Sequence, residues 1–212
     1  MNNTFADVAQ QLLGRPLTEK DGLAIEQVKA CEARMGVPWP PVLRQFYTTV
    51  GNLTSFMSAY EQFVPPADLH MTDGMLTFLW EAEGVCSWGV TPGEDDPIVF
   101  MDVEGSVFSE DMALSAFLEM MMYYQFAMCG YPYCATLPDD KLPSLPGILA
   151  EWEQVVLHND IVVYRQPGLL LWYFIEEDGT PLKDAVLSGI FLSARTRHDF
   201  KAAVKRYGFQ KS

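Results

Sequence analysis

The chain has no lysine or arginine between Arg44 and Lys141, although fifteen carboxylates lie in that interval. The flanking segments are nearly balanced in charge, so the net charge of −14 over 212 residues belongs to the middle of the chain. A segment without cations repels phosphate backbones, and we expect no nucleic-acid partner. The same charge would attract a basic protein and accelerate its association. Alternatively, the acidic residues only keep the protein in solution.

Long apolar runs are also missing. No run reaches the roughly 18–20 residues that a membrane-spanning helix needs. Residues 1–14 lack the basic region and the long apolar region of a signal peptide. With 49% hydrophobic and 20% charged residues, the composition is that of a folded chain rather than a disordered one. We therefore expect a cytoplasmic protein with no membrane partner.

Metal-ligand and cofactor motifs are absent. The three histidines stand in dissimilar contexts, and Cys129 and Cys134 form a C-x4-C pair without two further ligands nearby. We expect no metal and no cofactor. All four cysteines are expected to be thiols buried as small hydrophobic residues, as in a reducing compartment.

Catalytic motifs are missing as well. The chain has no G-x-S-x-G, no G-x-G-x-x-G, no P-loop and no H-E-x-x-H. The adjacent Asp95 and Asp96 suggest acid–base chemistry, but neighbouring turn residues rarely converge on one substrate. An enzyme would need a site assembled from distant residues, for example Asp95, Asp96 and His70. The densest basic stretch, 195–198, could bind an anion at a helix N-terminus, or its arginines could be solvated or paired with the acidic segment.

Apolar periodicity predicts helices in the first quarter of the chain, over residues 4–13, from Thr18 to Met35, and from Pro40 to Val50. Gly36 fits a helix C-cap. The helix after Pro40 should bury four residues, namely Leu43, Phe46, Tyr47 and Val50. Gly51 should end it, since glycine tolerates a positive φ.

Strand patterns follow over residues 75–81, 85–90 and 97–103, with a hairpin turn at 82–84. Ser109 then fits the N-cap of a helix over 112–128, with Glu110 and Asp111 near its positive end. Residues 130–147 are rich in proline and are interpreted as a loop.

The last third predicts strands over 151–158, 161–165, 169–176 and 185–194, and a helix over 196–207. Helices, then strands, then a helix predict an α+β fold with N-terminal helices packed on a central, mainly antiparallel sheet. We expect one domain over 1–212, with a motif-bearing core over about 20–130. Residues 148–212 are expected to extend the same sheet, although a separate subdomain is the alternative.

Three stretches carry a family resemblance. They are "IEQVKACEARMGVPWPPVLRQFYTTVGN" (25–52), "FLWEAEGVCSWGV" with "EDDPIVFMD" (78–102), and "LSAFLEMMM" (114–122). Their matching residues include Glu32, Gly36, Pro40 and Gly51 in the first stretch and Trp88 in the second. Trp39 and Glu83 depart from the usual Leu and Gln. In this order the stretches resemble the SUKH superfamily, which includes bacterial immunity proteins and fungal regulators of cell-wall synthesis.

The resemblance implies a binding protein without enzyme activity. Bacterial members are thought to neutralise secreted toxins by binding them, so the expected function is immunity against a basic toxin, such as a nuclease. A regulatory or scaffold role is the alternative. No binding residues carry over from the family, so the contact surface is predicted from charge alone: Glu94, Asp95, Asp96, Asp102, Glu104, Glu110 and Asp111.

Overall fold

A computed structural model describes residues 4–158, 161–176, 180–182 and 188–211 of the chain. Within these ranges it contains seven α-helices and two antiparallel sheets, so the predicted α+β class is confirmed. The chain divides into two compact units. The first comprises Met1–Gln10 and Pro16–Gln125, and the second comprises Gln11–Arg15 and Phe126–Ser212.

The first five helices are α1 Thr4–Leu13, α2 Ile25–Met35, α3 Pro41–Val50, α4 Thr54–Met57 and α5 Leu114–Gln125. Helix α1 confirms the predicted bounds. Helix α2 begins at Ile25 instead of Thr18, because Thr18 takes part in a turn. The Thr18 backbone N–H donates to Asp21 Oδ2 at 2.7 Å, and the Thr18 hydroxyl donates to the same oxygen at 3.1 Å.

The corner between α2 and α3 is held by one carboxylate. Glu32 Oε1 accepts hydrogen bonds from the Trp39 N–H at 2.9 Å and from Arg44 Nη1 at 2.7 Å. Gly36 ends α2 with a φ of 69°, as its C-cap role requires. The four residues predicted to be buried in α3 are all buried.

The glycine that ends α3 is explained by packing. Gly51 has a φ of −62°, so the expected positive φ is wrong. A Cβ there would collide with the backbone carbonyl oxygen of Tyr47 and would stand 3.0 Å from Leu23 Cγ, and this close approach favours glycine.

The first sheet consists of β1 Gln62–Phe63, β2 His70–Thr72, β3 Met75–Trp80, β4 Cys86–Val90, β5 Ile98–Val103 and β6 Ser106–Ala113. Its order is β1-β3-β4-β5-β6, and β2 also pairs with β3. The predicted hairpin between β3 and β4 is confirmed. Helix α5 covers one face, where Phe117 contacts Phe78 at 5.9 Å and Trp88 at 6.1 Å between ring centroids.

The predicted start of α5 is wrong. Ser109, Glu110 and Asp111 lie in β6, and the helix begins at Leu114. Its cap comes from the turn before β5: Asp96 Oδ1 accepts the Ser115 N–H at 2.7 Å, and Oδ2 accepts the Ser115 hydroxyl at 2.6 Å. The acidic residue that stabilises the helix start is therefore nineteen positions away in sequence.

The second unit contains β7 Tyr133–Leu137, β8 Glu153–His158, β9 Ile161–Gln166, β10 Leu169–Phe174, β11 Ile190–Ala194, β12 Gln210–Lys211, α6 Leu145–Leu149 and α7 Arg197–Tyr207. A π-helical turn occupies Phe126–Gly130, and a 3-10 helix occupies Asp139–Ser144. The strand order is β12-β7-β11-β10-β9-β8. Thr196 caps α7 by accepting the Asp199 N–H at 3.1 Å, at the start of the helix predicted over 196–207.

Two expectations about this unit are wrong. The C-terminal strands do not extend the first sheet, because they pair with one another and with β7. The segment 130–147 is not only a loop, since β7 lies between β12 and β11. Of the predicted strand 185–194, residues 185–187 lie outside the described residues. Whether the chain folds as one domain stays a prediction. Within the described part, no helix has both the length and the apolarity needed to cross a bilayer.

Candidate functional site

One row of paired residues crosses the uncovered face of the first sheet. Trp80 in β3 pairs with Ser87 in β4, Ser87 pairs with Asp102 in β5, and Asp102 pairs with Val107 in β6. Directly paired residues of antiparallel strands project from the same face. The neighbouring row through Trp88 faces α5, so these four side chains, here called the Trp80 row, point away from the helix.

A groove of about 450 Å³ lies at one end of this row. Its walls come from the two hairpin ends, the β3–β4 connection and the β5–β6 turn. Here it is called the Trp80 groove, and its lining is Trp80, Gly84, Val85, Cys86, Ser87, Asp102, Glu104 and Gly105. An indole and an aliphatic side chain therefore share one concave surface with two carboxylates, and no cation lines it.

Large apolar side chains are exposed at this end of the sheet. The exposed fractions are 39% for Trp80, 54% for Val85 and 50% for Val107. Scattered exposed apolar residues are ordinary on protein surfaces. Here Trp80 and Val85 line one groove and Val107 continues the same row. Ser87 and Asp102 separate Val107 from Trp80 in this row, so the exposed apolar surface of the groove itself is that of Trp80 and Val85, beside polar side chains.

The two hairpin ends are rigidly built. The Val85 N–H donates to Glu81 Oε2 at 2.9 Å, and the Gly105 N–H donates to Asp102 Oδ1 at 2.7 Å. Glu104 and Gly105 form a two-residue turn with φ values of 51° and 87°. Such a turn favours Asn-Gly, so a glutamate at its first position is conformationally costly.

Three carboxylates act on Cys86, a residue of the groove lining. Burial is the main cause that raises the pKa of the Cys86 thiol to about 11, and the charges of Glu81, Glu61 and Glu110 raise it further. These three carboxylates thus lie close enough to act on one sulfur. Among them Glu61 is buried, and its Oε2 accepts the Ala82 N–H at 2.6 Å.

The pKa of Glu61 is itself raised. Burial raises its pKa from 4.5 to about 7; the Ala82 hydrogen bond lowers it and the Glu81 charge raises it. Its backbone is fixed by Gln125, whose amide oxygen accepts the Glu61 N–H at 3.1 Å and whose amide nitrogen donates to the Glu61 carbonyl at 2.6 Å. A carboxyl that titrates near neutral pH therefore holds the connection between β3 and β4.

Two of the seven predicted contact residues, Asp102 and Glu104, line the Trp80 groove. Glu110 lies on the α5 side of the sheet, where its Oε1 accepts the Trp88 indole N–H at 2.7 Å. Asp111 accepts the Ser109 hydroxyl at 2.7 Å in the irregular part of β6, with a φ of 52°.

Glu94, Asp95 and Asp96 occupy the turn between β4 and β5, at the other end of the sheet. Strand β5 separates them from the hairpin end by roughly 20 Å. Asp96 is used as the cap of α5. The structure therefore brings two of the seven predicted residues into one groove and distributes the other five elsewhere.

The residues of the enzyme alternative are not neighbours. His70 in β2 pairs with Thr77 of β3, whereas Asp95 and Asp96 precede β5. Strands β3 and β4 lie between them, which places His70 roughly 14 Å or more away. The His70 ring instead contacts Trp80, at 6.0 Å between ring centroids.

Among the described residues, no group of three His, Cys, Asp or Glu side chains is arranged to hold a metal ion. All four cysteines are free. The expectation that they are buried is wrong, because Cys129 and Cys134 are exposed and Cys31 and Cys86 are half-buried.

Sequence reasoning missed the apolar part of the groove. Trp80 ends the segment 75–80, which is apolar on both faces apart from Thr77. Such a pattern indicates a strand covered on both faces, so it does not reveal that Trp80 lies on an open face. Val107 lies between the predicted strand 97–103 and the predicted helix 112–128, in a segment for which the sequence predicts no strand. The signal that could have found it is "SVFS", a short strand-like run that directly follows the Glu104-Gly105 turn.

The units differ in charge. By sequence, the first has eighteen carboxylates and four lysines or arginines, and the second has ten of each. The full net charge of −14 therefore belongs to the unit that contains the Trp80 groove.

No protein-family model, no curated protein and no solved structure matches this chain.

Proposed function

We propose that this chain is a non-enzymatic binding protein of the immunity type. It neutralises a basic protein toxin by binding it through the open face of the first sheet. The proposal includes membership of the SUKH superfamily, on the sequence resemblance described above. It also places the protein in the cytoplasm, where free cysteines persist.

The observation that carries the proposal is the composition of the Trp80 groove. An exposed indole and Val85 lie beside Asp102 and Glu104, and no cation lines the groove. Tryptophan in a concave surface is a frequent hot spot of protein interfaces. An indole flanked by carboxylates favours an arginine or lysine side chain, which gains a cation–π contact and an ion pair together.

The backbone of Glu104 supports the same assignment. A glutamate at a φ of 51° occupies a position that asparagine or glycine would fill at lower conformational cost. Strained residues concentrate at binding sites, where the side chain matters more than local stability. Its carboxylate lines the groove, so the strained residue is also one that a basic partner would contact.

The charge difference between the units favours the first unit as the docking unit. A charge of −14 on one unit directs a cationic partner towards it over distances comparable to the Debye length, about 8 Å at physiological salt. Toxins that act on nucleic acid carry basic surfaces, which suit such a partner.

The test uses the protein encoded next to this chain, purified as an inactive variant, in calorimetric titrations. We expect binding that weakens as salt rises, because the contact is between opposite charges. The substitution Trp80→Ala should weaken affinity by about 30-fold or more, as loss of an interface hot spot does. The pair Asp102→Asn with Glu104→Gln should weaken affinity and reduce the salt dependence.

The matched control is the pair Glu94→Gln with Asp95→Asn, which removes the same charge at the other end of the sheet. It should change affinity less than threefold. Failure to bind, together with failure of co-expression to rescue cells from the neighbouring protein, would overturn the immunity role. Normal affinity of the Trp80 variant would overturn the proposed surface.

A further inference from the structure

The basic stretch 195–198 is divided by the fold. Arg195 Nη1 donates to the Gln11 carbonyl at 3.2 Å, and its guanidinium lies against Gly14 and Gly168. Arg197 is the first residue of α7 and lies beside residues of β7 and β12. The stretch is therefore not one basic cluster, and Arg197 must be considered with the residues that surround it in space.

Arg197, Phe200 and Lys201 lie on one side of α7, because residues three and four apart are neighbours on a helix. Phe200 is buried and its ring stacks on Tyr133 of β7, with centroids 5.7 Å apart and planes 28° apart. The edge strand β12 brings Lys211 to β7, where it pairs with Ala135.

These residues form an open groove of about 340 Å³, lined by Pro132, Tyr133, Cys134, Phe200 and three cations, Arg197, Lys201 and Lys211. This is called the Lys201 groove. No carboxylate lines it. Its volume lies at the lower end of the range of small-molecule sites, roughly 300–1,000 Å³.

The cations of the Lys201 groove differ from several others in the second unit in having no ion pair within the described part of the chain. Lys141, Arg165 and Arg206 each have a carboxylate within 4.0 Å, namely Asp140, Glu153 and Glu151. In the described part of the chain, no ion pair involves Arg197, Lys201 or Lys211. A chain with twice as many carboxylates as cations thus keeps three cations together without an acidic neighbour in the groove they line.

We propose that the Lys201 groove binds a phosphate monoester of a small molecule. Arg197 would bind two phosphate oxygens with its planar guanidinium, and Lys201 and Lys211 would neutralise the remaining charge. The Tyr133 ring at the aromatic side of the groove would contact the organic part of the ligand. All residues that line the Lys201 groove belong to the second unit, and this proposal does not rest on the proposed toxin binding.

The probe is phenyl phosphate, titrated into the full chain and followed by calorimetry. The backbone amide NMR shifts of Tyr133, Cys134 and Lys201 give a local signal, because these residues line the groove. We expect saturable binding and shift changes at these amides, with no change at Cys31. Arg197→Gln with Lys201→Gln should weaken binding by about tenfold or more. Thermal unfolding checks that the variant is folded.

The matched control is Lys205→Gln, which removes one charge from the same helix one turn beyond Lys201, outside the groove lining. It should change affinity less than twofold. Equal losses in the Lys201→Gln and Lys205→Gln variants, or no saturable binding up to about 10 mM phenyl phosphate, would overturn the proposal. Tighter binding of hexaglutamate than of phenyl phosphate would also overturn it, in favour of an acidic peptide.

Discussion

The two units of the chain have similar architecture and opposite surface character. Each contains a six-stranded antiparallel sheet with helices. The first carries the entire net charge and an apolar groove edged by carboxylates, whereas the second is balanced and has a groove edged by cations. The overall value of −14 therefore describes the first unit and its groove, but not the second unit, whose charges balance and whose groove is lined by cations.

If the two units are separate structures, each should unfold independently of the other. Phe46 is buried in the first unit against the rings of Phe5, Tyr47 and Phe63. We expect Phe46→Ala to lower the free energy of unfolding of that unit by about 3–5 kcal/mol. Hydrogen exchange should show lost protection in β3–β5 and retained protection in β9–β11.

The reciprocal variant is Leu171→Ala in β10, whose side chain is fully buried. It should lower protection in the second sheet only, by about 2–5 kcal/mol. Loss of protection in both sheets from either substitution would show that the chain unfolds as one domain, as the sequence predicts.

Local patterns predicted much of the first unit. The corner between α2 and α3 has its signals within a few residues: Gly36 as a cap, then Pro40 and Pro41 before an apolar stripe. The signal for the hairpin of β3 and β4 is equally local, because Gly84 lies in the connection itself and adopts a positive φ there.

Features that depend on distant residues were not predictable in this way. "SED" at 109–111 has the composition of a helix start, yet the segment pairs with β5 and the cap of α5 is Asp96. In the same way, "YCATL" becomes an inner strand only because β11 and β12 reach it. The two grooves are also assembled from separate segments, so neither was visible as a motif.

The stability of the first unit should depend on pH through Glu61. The Glu61 pKa is about 7 in the folded state and near its ordinary 4.5 in the unfolded state. Between these values the folded state binds the extra proton, so stability falls as pH rises from 4.5 to 7 and is then constant. Glu61→Gln keeps an acceptor for the Ala82 N–H and removes the charge.

We expect the Glu61→Gln variant to be more stable than the parent chain at pH 8 by on the order of 2 kcal/mol, and about equal at pH 4. Chemical denaturation at both pH values measures this. An equal difference at both pH values would show that packing, and not ionisation of Glu61, causes the effect.

Substitutions at Asp95 and Asp96 test which of these two neighbouring carboxylates stabilises the fold. Asp96→Ala removes the cap of α5 and should cost about 1–2 kcal/mol of stability. Its neighbour Asp95 has no hydrogen bond or ion pair in the described part of the chain, and Asp95→Ala should stay within about 0.5 kcal/mol. Equal stability of the two variants in thermal unfolding would contradict the cap.

Substitution of Glu104 should cause the smallest change in stability. It should also change stability and partner affinity in opposite directions. Glu104→Asn relaxes a residue held at a φ of 51° and should stabilise the chain by a few tenths of a kcal/mol to about 1 kcal/mol. It also removes a carboxylate of the Trp80 groove, so partner affinity should fall. A variant that gains stability and keeps full affinity would remove Glu104 from the site.

The most direct measurement is a hydrogen-exchange footprint of the full chain with the protein encoded beside it. We expect new protection at residues 80–87 and 102–107, and none in the turn 94–96 or in β8–β11. Protection centred on the turn 94–96 or on the second unit, with the Trp80 groove unchanged, would contradict the claim that a basic partner docks on the open face of the first sheet.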